Sequence, residues 1–136
     1  MDHLIRGIGM NDEIRIFSVD TTETVNEAVE RHGAYPTAAA ALGRTMTAGL
    51  MMGAMLKNEE KVTVTVQGGG PIGAIVVDSN AKGKVRGYLG NPQVHFPLNN
   101  AGKLDVRRAV GTDGFVNVAK DIGLKEHFTG STEIVS

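Results

Sequence analysis

The chain has no cysteine among its 136 residues. This absence excludes disulfides, thiol catalysis and any thiolate zinc site within these residues. An excess of charge of one sign is also missing, because 14 lysines and arginines face 15 aspartates and glutamates. A net charge of −1 argues against electrostatic capture of nucleic acid or of an anionic membrane surface. We therefore expect neither as a partner.

Aromatic residues are scarce, with two tyrosines, four phenylalanines and no tryptophan. Glycine is abundant at 18 residues, and hydrophobic residues make up 41% of the chain. This composition predicts one soluble globular domain whose core is aliphatic and whose turns are tight. Residues 1–6 lack both the basic start and the apolar run of a signal peptide, so the expected compartment is the cytoplasm.

The first third of the chain predicts two strands followed by a helix. The strands cover residues 3–9 and 13–19, and an alternation close to period 2 marks the second of them. Asp20 is the expected N-cap, with Glu23 completing a capping box, and Gly33 is the expected residue after the helix. The apolar face of this helix has the spacing i, i+3, i+4 and i+7 and consists of Val25, Ala28, Val29 and His32.

A second helix is predicted from Pro36 to about Lys57, and it is apolar on nearly every side. Arg44 interrupts its apolar run, which is too short to span a bilayer, so we expect a buried central helix. Four methionines on this helix could pack in the core or form an adaptable binding surface, and packing is the favoured interpretation. These residues are Met46, Met51, Met52 and Met55.

From residue 62 onwards the pattern is that of strands. Residues 62–67, 72–77 and 84–89 predict an antiparallel meander joined by turns at 68–71 and 78–83. The run 72–77 is largely apolar, which predicts a strand covered on both faces. The order ββ-αα-βββ-ββ indicates an α+β fold with antiparallel sheets packed around the central helix. The remaining predicted strands are 104–109, 115–120 and 131–135.

Two motifs resemble binding sites but have simpler explanations. Residues 68–73 spell G-x-G-x-x-G, yet they precede a strand instead of the helix that a phosphate site needs, so a hairpin turn is favoured. Residues 86–88 begin like an RNA-binding strand, but Leu89 and Gly90 break that pattern. The solvated side of a strand, carrying Lys82, Lys84 and Arg86, is the favoured explanation.

Residues for catalysis or metal binding do not form a pattern. His3, His32, His95 and His127 have no metal-ligand spacing, and no serine lies in a nucleophile elbow. The neighbouring carboxylates at 12–13 and 59–60 fall in polar turns, where solvation is their expected role. We therefore expect no enzyme activity, no catalytic residue and no bound metal or cofactor in this chain.

Several longer runs are spread in order over essentially the whole chain. The runs are 27–32 (EAVERH), 41–48 (ALGRTMTA), 52–57 (MGAMLK), 70–73 (GPIG) with 77–78 (VD), 85–88 (VRGY) with 91–92 (NP), and 120–126 (KDIGLKE). Taken together, they resemble the heat-shock protein 33 family of redox-regulated chaperones, and they are specific jointly more than singly.

The resemblance implies a cytoplasmic, ATP-independent holdase that binds unfolding proteins during oxidative stress and forms a homodimer. It implies an N-terminal core of sheet-helix-sheet layers. In the family, four C-terminal cysteines bind zinc, and their oxidation unfolds a linker that otherwise covers apolar surface of the core.

This chain departs from the family because it ends before the linker and the zinc cysteines. We therefore expect residues 1–136 to be an incomplete N-terminal core domain, truncated at its C-terminus and without the zinc and redox domain. Surface that the linker covers in the family should be exposed. The strand at 131–135 should lack a partner and offer an edge for pairing with another chain.

The function that this resemblance implies is passive binding of unfolded or misfolded client proteins by apolar surface. A structural or dimerisation module without client affinity is the alternative, in which self-association uses up the same surface. The expected client-binding residues lie on the apolar strand and its neighbours and are Ile72, Ile75, Val76, Val77, Tyr88, Phe115 and Val118.

Overall fold

The computed structural model describes residues 1–123, 125 and 127–134. The described chain has two antiparallel sheets and three helices, as the α+β expectation requires. The elements are β1 (His3–Gly9), β2 (Ile14–Asp20), α1 (Thr22–His32), α2 (Pro36–Ala54), β3 (Lys61–Gln67), β4 (Ala74–Asn80), β5 (Val85–Leu89), α3 (Val106–Val110), β6 (Phe115–Asp121) and β7 (Phe128–Glu133).

The larger sheet has five strands in the order β5-β4-β3-β6-β7, and β1 and β2 form a separate hairpin. The meander β3-β4-β5 is confirmed, and β6 joins it on the other side of β3. Helix α2 packs across β3, β4 and β5 and also contacts β2. The predicted arrangement of antiparallel sheets around a central helix is therefore confirmed.

The core lies between α2 and the inner face of the larger sheet, and it is aliphatic as predicted. Helix α2 contributes Leu42 and Met46, so packing is the role of Met46, whereas Met51 and Met52 are half-buried and Met55 is exposed. Its other face is only half-buried, although the sequence is apolar all round. The buried cluster comprises Ala28, Ala38, Ala41, Leu42, Met46, Ile72, Ile75, Val77, Leu89, Val94 and Ala109.

The predicted capping box of α1 is wrong. Asp20 ends β2, and Thr21 is the residue before the helix. The carboxylate of Asp2 instead accepts hydrogen bonds from the backbone N–H groups of Glu23 and Thr24 at 3.1 and 2.7 Å. A residue distant in sequence therefore does the work that was expected of a local cap.

Two further strand predictions are wrong. Strand β4 begins at Ala74 instead of residue 72, because Gly73 has a positive φ of 75° and closes a turn before the strand. It continues through residues 78–80, which were expected to be a turn, since the Thr63 hydroxyl bonds to Asp78 across the strand pair. Residues 106–110 form helix α3, not a strand, and the Asp105 side chain accepts a hydrogen bond from the Arg108 N–H.

The last strand also differs from its prediction. Strand β7 begins at Phe128, and its predicted end, Val135, lies outside the described residues. The strand was expected to lack a partner, but it pairs with β6 from Phe115↔Glu133 to Lys120↔Phe128. The far edge of β7 is unpaired in the described structure, as are the outer edge of β5 and the outer edges of the β1-β2 hairpin.

Candidate functional site

The inner side of the larger sheet holds four of the seven expected client-binding residues, and three of these are fully buried. Ile72, Ile75 and Val77 are at most 1% exposed and belong to the core cluster. Ile72 lies in the turn before β4, and the other two point toward α2. An incoming chain cannot reach these side chains unless the core opens.

The outer face holds Val76, Tyr88 and Phe115. Val76 and Tyr88 are directly opposite each other on β4 and β5, and the Tyr88 side chain is 55% exposed. Phe115 is exposed but lies three strands away on β6, at roughly 14 Å from Tyr88 by strand spacing. Val118 opposes Val64 and is therefore on the inner face. The structure thus does not bring the seven residues into one surface.

The densest exposed apolar surface lies on the β1-β2 hairpin, which sequence reasoning did not select. Ile5 and Ile16 are 59% and 58% exposed, and Ile14 is exposed beside them. The register places these residues on one face, with glycines opposite two of them in the pairs Gly7↔Ile16 and Gly9↔Ile14. We call Ile5, Ile14 and Ile16 the isoleucine face. The alternation in 13–19 predicted the strand, but no pattern indicated that this face would be uncovered.

The hairpin is attached to the helices by polar contacts. The Thr21 hydroxyl lies 2.8 Å from the Thr47 hydroxyl on α2, and Thr47 itself donates to the Gly43 carbonyl. Thr21 is therefore the donor to Thr47. At the same open end of the hairpin, where His3 pairs with Asp20, Asp2 binds the first turn of α1 through two backbone N–H groups and the Thr24 hydroxyl.

These contacts perturb two carboxyl groups. The hydrogen bond from the Thr24 side chain, with the backbone bonds beside it, lowers the pKa of Asp2. The Thr22 backbone N–H, followed by the Thr22 hydroxyl, lowers the pKa of Asp20. Both carboxyl groups lie at the N-terminus of α1, where the helix dipole also favours negative charge. Their perturbation therefore serves the fold and indicates no acid–base chemistry.

Replacing Asp2 by alanine is expected to lower the stability of the hairpin–helix junction at neutral pH. Because the pKa of Asp2 is lower in the folded chain, its carboxylate stabilises the fold at pH values above the unfolded-state pKa, which is about 3.9 for aspartate. That stability is lost as the pH falls through the folded-state pKa. The difference between wild type and Asp2→Ala should therefore shrink below about pH 4. Urea unfolding midpoints at a series of pH values measure it.

Glu13→Ala is the matched control, because Glu13 is an exposed carboxylate in the turn of the same hairpin. A difference between wild type and Asp2→Ala that stays constant from neutral to acid pH would contradict the capping role of Asp2.

A shallow groove of about 460 Å³ separates α1 from the half-buried face of α2. Small residues of α2, including Ala40, Gly43 and Ala48, line it together with Val25 of α1 and Met51 of α2. Arg44 is the one charged side chain in this lining. The lining also includes the hydroxyls of Thr21, Thr22 and Thr47 but no carboxylate or imidazole. The groove therefore offers apolar contact, hydroxyl groups and a cation, without a side chain that could act as a general base.

Polar clusters elsewhere on the described residues have structural roles. Asp78 accepts from Thr63 and pairs with the exposed Arg86 at 3.4 Å, on the solvated side of the sheet as expected. Glu59 pairs with Lys82 at 3.0 Å. The glycine motif 68–73 leads into β4 and packs against the end of α3, so its turn assignment is confirmed.

No group of three or more potential metal-ligating side chains comes together in the described part of the chain. Two of the four histidines have side-chain partners of other kinds: His127 lies 3.6 Å from the Asp121 carboxylate, and His95 lies against Thr37. Of the helices that the structure describes, none combines the length and apolarity needed to cross a membrane.

A non-helical segment of the chain lies against the start of α2. Residues 91–98, which we call the strap, run across the first turn of this helix. The Tyr35 N–H donates to the Pro92 carbonyl at 2.8 Å, and the Ala38 N–H donates to the Val94 carbonyl at 3.2 Å. The strap carbonyls therefore satisfy backbone donors that the helix itself leaves without partners.

Comparison with known proteins gives one consistent result. The family model described as Hsp33 protein matches residues 2–136. The chain is 64% identical to the 33 kDa chaperonin of Bacillus pumilus and 62% identical to that of Bacillus subtilis, in both cases over 136 residues, which are 100% of this chain and 47% of the relative.

A solved structure agrees with this match. The crystal structure of the 33 kDa chaperonin (heat shock protein 33 homolog) from Thermotoga maritima superposes with a TM-score of 0.93 at 35% identity. The superposition covers 98% of this chain and 46% of that one. The chain therefore spans about half the length of the relatives that it matches.

Proposed function

The chain belongs to the Hsp33 family, and we propose that it acts as a holdase chaperone that binds unfolding proteins without ATP. The names of its relatives, 33 kDa chaperonins, support a chaperone role. Because the chain spans about half of their length, we treat residues 1–136 as part of an N-terminal core domain. We further propose a cytoplasmic location and no enzyme activity.

The observation that carries this proposal is the isoleucine face of the hairpin. Exposed apolar side chains that lie together on a soluble domain are typical of binding surfaces. Fully burying one isoleucine contributes about 1.5 to 3 kcal/mol before the cost of ordering the client. Three adjacent isoleucines on an extended ribbon therefore offer an unfolded chain a sequence-tolerant contact. We propose this face as the primary client surface, with Val76, Tyr88 and Phe115 as a second candidate surface.

The zinc switch that the family resemblance implies does not fit these residues. Zinc thiolate sites need cysteines, and the chain has none. The described residues also hold no cluster of three alternative ligands. No step of the proposed mechanism therefore passes through zinc, and client binding is proposed to be independent of redox state in this chain.

The double substitution Ile14→Thr with Ile16→Thr is expected to weaken client holding. Threonine keeps the β-branched shape that favours strands but removes apolar area from the isoleucine face. We expect roughly tenfold more chain to be needed for equal suppression of aggregation. Light scattering of a chemically unfolded client, diluted into buffer under reducing conditions, measures this effect.

Two controls locate the surface. Leu98→Thr removes an equally exposed apolar side chain away from the hairpin and should leave suppression unchanged. Tyr88→Ser with Phe115→Ser tests the outer sheet face. If this pair abolishes suppression while the isoleucine variant retains it, the client surface lies on the sheet. If the folded wild-type chain suppresses no aggregation, the holdase proposal is wrong.

A second candidate function is a dimerisation module without client affinity, and the unpaired edge of β7 favours it. Its central residues, 129–132, carry no charge or proline that would discourage pairing with another strand. We propose homodimerisation through this edge. Sedimentation velocity over a range of concentrations tests it, and a monomer at high concentration would count against it.

A further inference from the structure

Strand β5 forms the edge of the larger sheet opposite β7, and its hydrogen bonds show which of its backbone groups point outward. The Asn80 N–H donates to the Lys84 carbonyl at 3.1 Å, and the Gly90 N–H donates to the Ala74 carbonyl at 3.0 Å. Residues that bond to the neighbouring strand alternate with residues that do not, so the even-numbered residues of β5 bond to β4. The residues whose N–H and C=O groups point away from β4 are Val85, Gly87 and Leu89.

Part of this outward row is accessible. Val85 and Gly87 are half-buried, whereas Leu89 is only 7% exposed. In the part of the chain that the structure describes, no backbone carbonyl accepts from the Val85 or Gly87 N–H. An edge with such open donors and acceptors is a template for the addition of an extended chain. An incoming strand can therefore pair with β5 around Val85 and Gly87.

The side chains along the outer face of this edge are basic. Lys84 is exposed, and the Arg86 side chain is 86% exposed. Both border a cleft of about 510 Å³ whose lining also includes Lys61. Asp78 is the one carboxylate among the lining residues, so the cleft has a net positive charge.

Asp78 neutralises only part of this charge. Its carboxylate accepts from the Thr63 hydroxyl at 2.6 Å and lies 3.4 Å from the Nε of Arg86. A guanidinium has five N–H donors, so Arg86 can bind a second carboxylate through its two terminal nitrogens. Among the residues that the structure describes, no carboxylate oxygen lies within 4 Å of the Lys84 ammonium. The edge can therefore accept additional negative charge.

We propose that the edge of β5 binds an extended acidic segment of another protein, which adds to the larger sheet as a further antiparallel strand. Alternate side chains of a strand share one face, so carboxylates at every second position of the segment lie beside Lys84 and Arg86. Backbone hydrogen bonds to Val85 and Gly87 hold any extended chain, and the two cations select an acidic one.

Charge also separates this edge from the edge of β7. A second copy of the chain would bring its own Lys84 and Arg86 to β5, and like charges across a strand pair are destabilising. The central residues of β7 are uncharged, so self-pairing is proposed there and not here. The β5 site lies outside the isoleucine face, and it does not rest on the proposed holdase function.

The test is an NMR titration of the chain with a synthetic peptide of about seven residues, the length of a typical strand, in which glutamate and threonine alternate. The amide signals of Val85 and Gly87 should move more than that of Gly130 on β7. With free peptide at about ten times its Kd, hydrogen exchange at Val85 and Gly87 should slow by about tenfold. A peptide with lysine in place of glutamate should bind at least about tenfold more weakly.

Two comparisons separate the charges from the backbone pairing. Lys84→Glu with Arg86→Glu should weaken binding of the glutamate peptide by roughly tenfold and allow the lysine peptide to bind. Lys103→Glu with Arg107→Glu is the matched control, because it makes the same charge change at exposed positions outside the sheet. N-methylation of the peptide's threonines, which lie opposite Val85 and Gly87, should abolish binding, whereas N-methylation of its glutamates should not.

Basic side chains can also serve only to keep an edge unpaired. In that case the glutamate peptide would leave the signals of Val85 and Gly87 unchanged, and the proposal would be overturned. Equal binding of the two peptides, or equal loss of binding in the two charge-reversed variants, would overturn it as well. None of these results bears on client holding by the isoleucine face, which light scattering measures separately.

Discussion

Gly111→Ala is expected to destabilise the chain by about 3 kcal/mol or more. Gly111 follows α3 with φ 90° and ψ 169°, a backbone conformation that is essentially restricted to glycine. A methyl group at this position would also overlap the backbone carbonyl of Gly68 and come within 2.5 Å of the Gly70 nitrogen. Neither neighbour can rotate away, because both belong to a backbone that is hydrogen-bonded to the end of α3.

Those hydrogen bonds explain why the chain approaches itself so closely here. The Gly70 N–H donates to the Val110 carbonyl at 3.0 Å, and the Asp113 N–H donates to the Gly68 carbonyl at 3.0 Å. The loop between β3 and β4 is thereby attached to the segment that leads into β6. A substitution that separates the two backbones would disturb both neighbours of the central strand β3.

Urea unfolding of two further glycine variants separates the cost of the backbone conformation from the cost of the close contact. Gly102 has a φ of 72° but open space around its Cα, so Gly102→Ala should cost only about 1 kcal/mol. Gly130 is in a strand with open space, and Gly130→Ala should be nearly neutral or slightly stabilising. If Gly111→Ala is no less stable than Gly102→Ala, the close contact between the two backbones is not what requires glycine at position 111.

Contact with the end of α3 accounts for the glycines of the G-x-G-x-x-G motif at residues 68–73 without a phosphate site. In residues 68–73 the missing side chains permit contact with α3 instead of approach to a ligand. The motif therefore reflects a real need for glycine, but the need comes from the protein's own backbone. A sequence motif alone does not distinguish these two causes.

Patterns that depend on neighbouring residues predicted the fold well. Alternation indicated β2 and β3, Pro36 marked the start of α2, and short turns indicated the meander of β3, β4 and β5. The failures involve partners distant in sequence. Asp2 accepts the Glu23 N–H from 21 residues away, whereas Asp20, the expected partner of that N–H, accepts the Thr22 N–H instead. The pairing of β3 with β6 likewise has no local signal.

The candidate site could be predicted only in part, because apolar character indicates burial more directly than binding. The run 72–77 was apolar because its inward residues form the core beneath α2. In the hairpin, Ile14 and Ile16 alternate as any half-buried strand would, and only the tertiary structure leaves their face uncovered. Exposure is a property of the whole fold, so the isoleucine face could not be selected from its sequence.

Ile75→Ala is expected to lower the free energy of unfolding by about 2 to 5 kcal/mol. Ile75 is 1% exposed and lies opposite Val66 on β3 and Leu89 on β5. Removing its side chain leaves a cavity in a close-packed region that cannot collapse freely, since β4 is paired on both sides. Equilibrium unfolding in urea gives the change in stability directly.

Tyr88→Ala is the matched comparison, because Tyr88 was expected on the same client surface but is largely exposed. Its loss should change the unfolding free energy by under about 1 kcal/mol. Because Ile75 is buried, Ile75→Ala should reduce client holding only by the fraction of molecules that it unfolds. The molecules that remain folded should hold clients as well as wild type does. If the molecules of Ile75→Ala that remain folded hold clients less well than folded wild type does, the buried strand would itself be accessible to clients. The core would then have to open during binding, and apolar surface beneath α2, not the isoleucine face alone, would hold the unfolded chain.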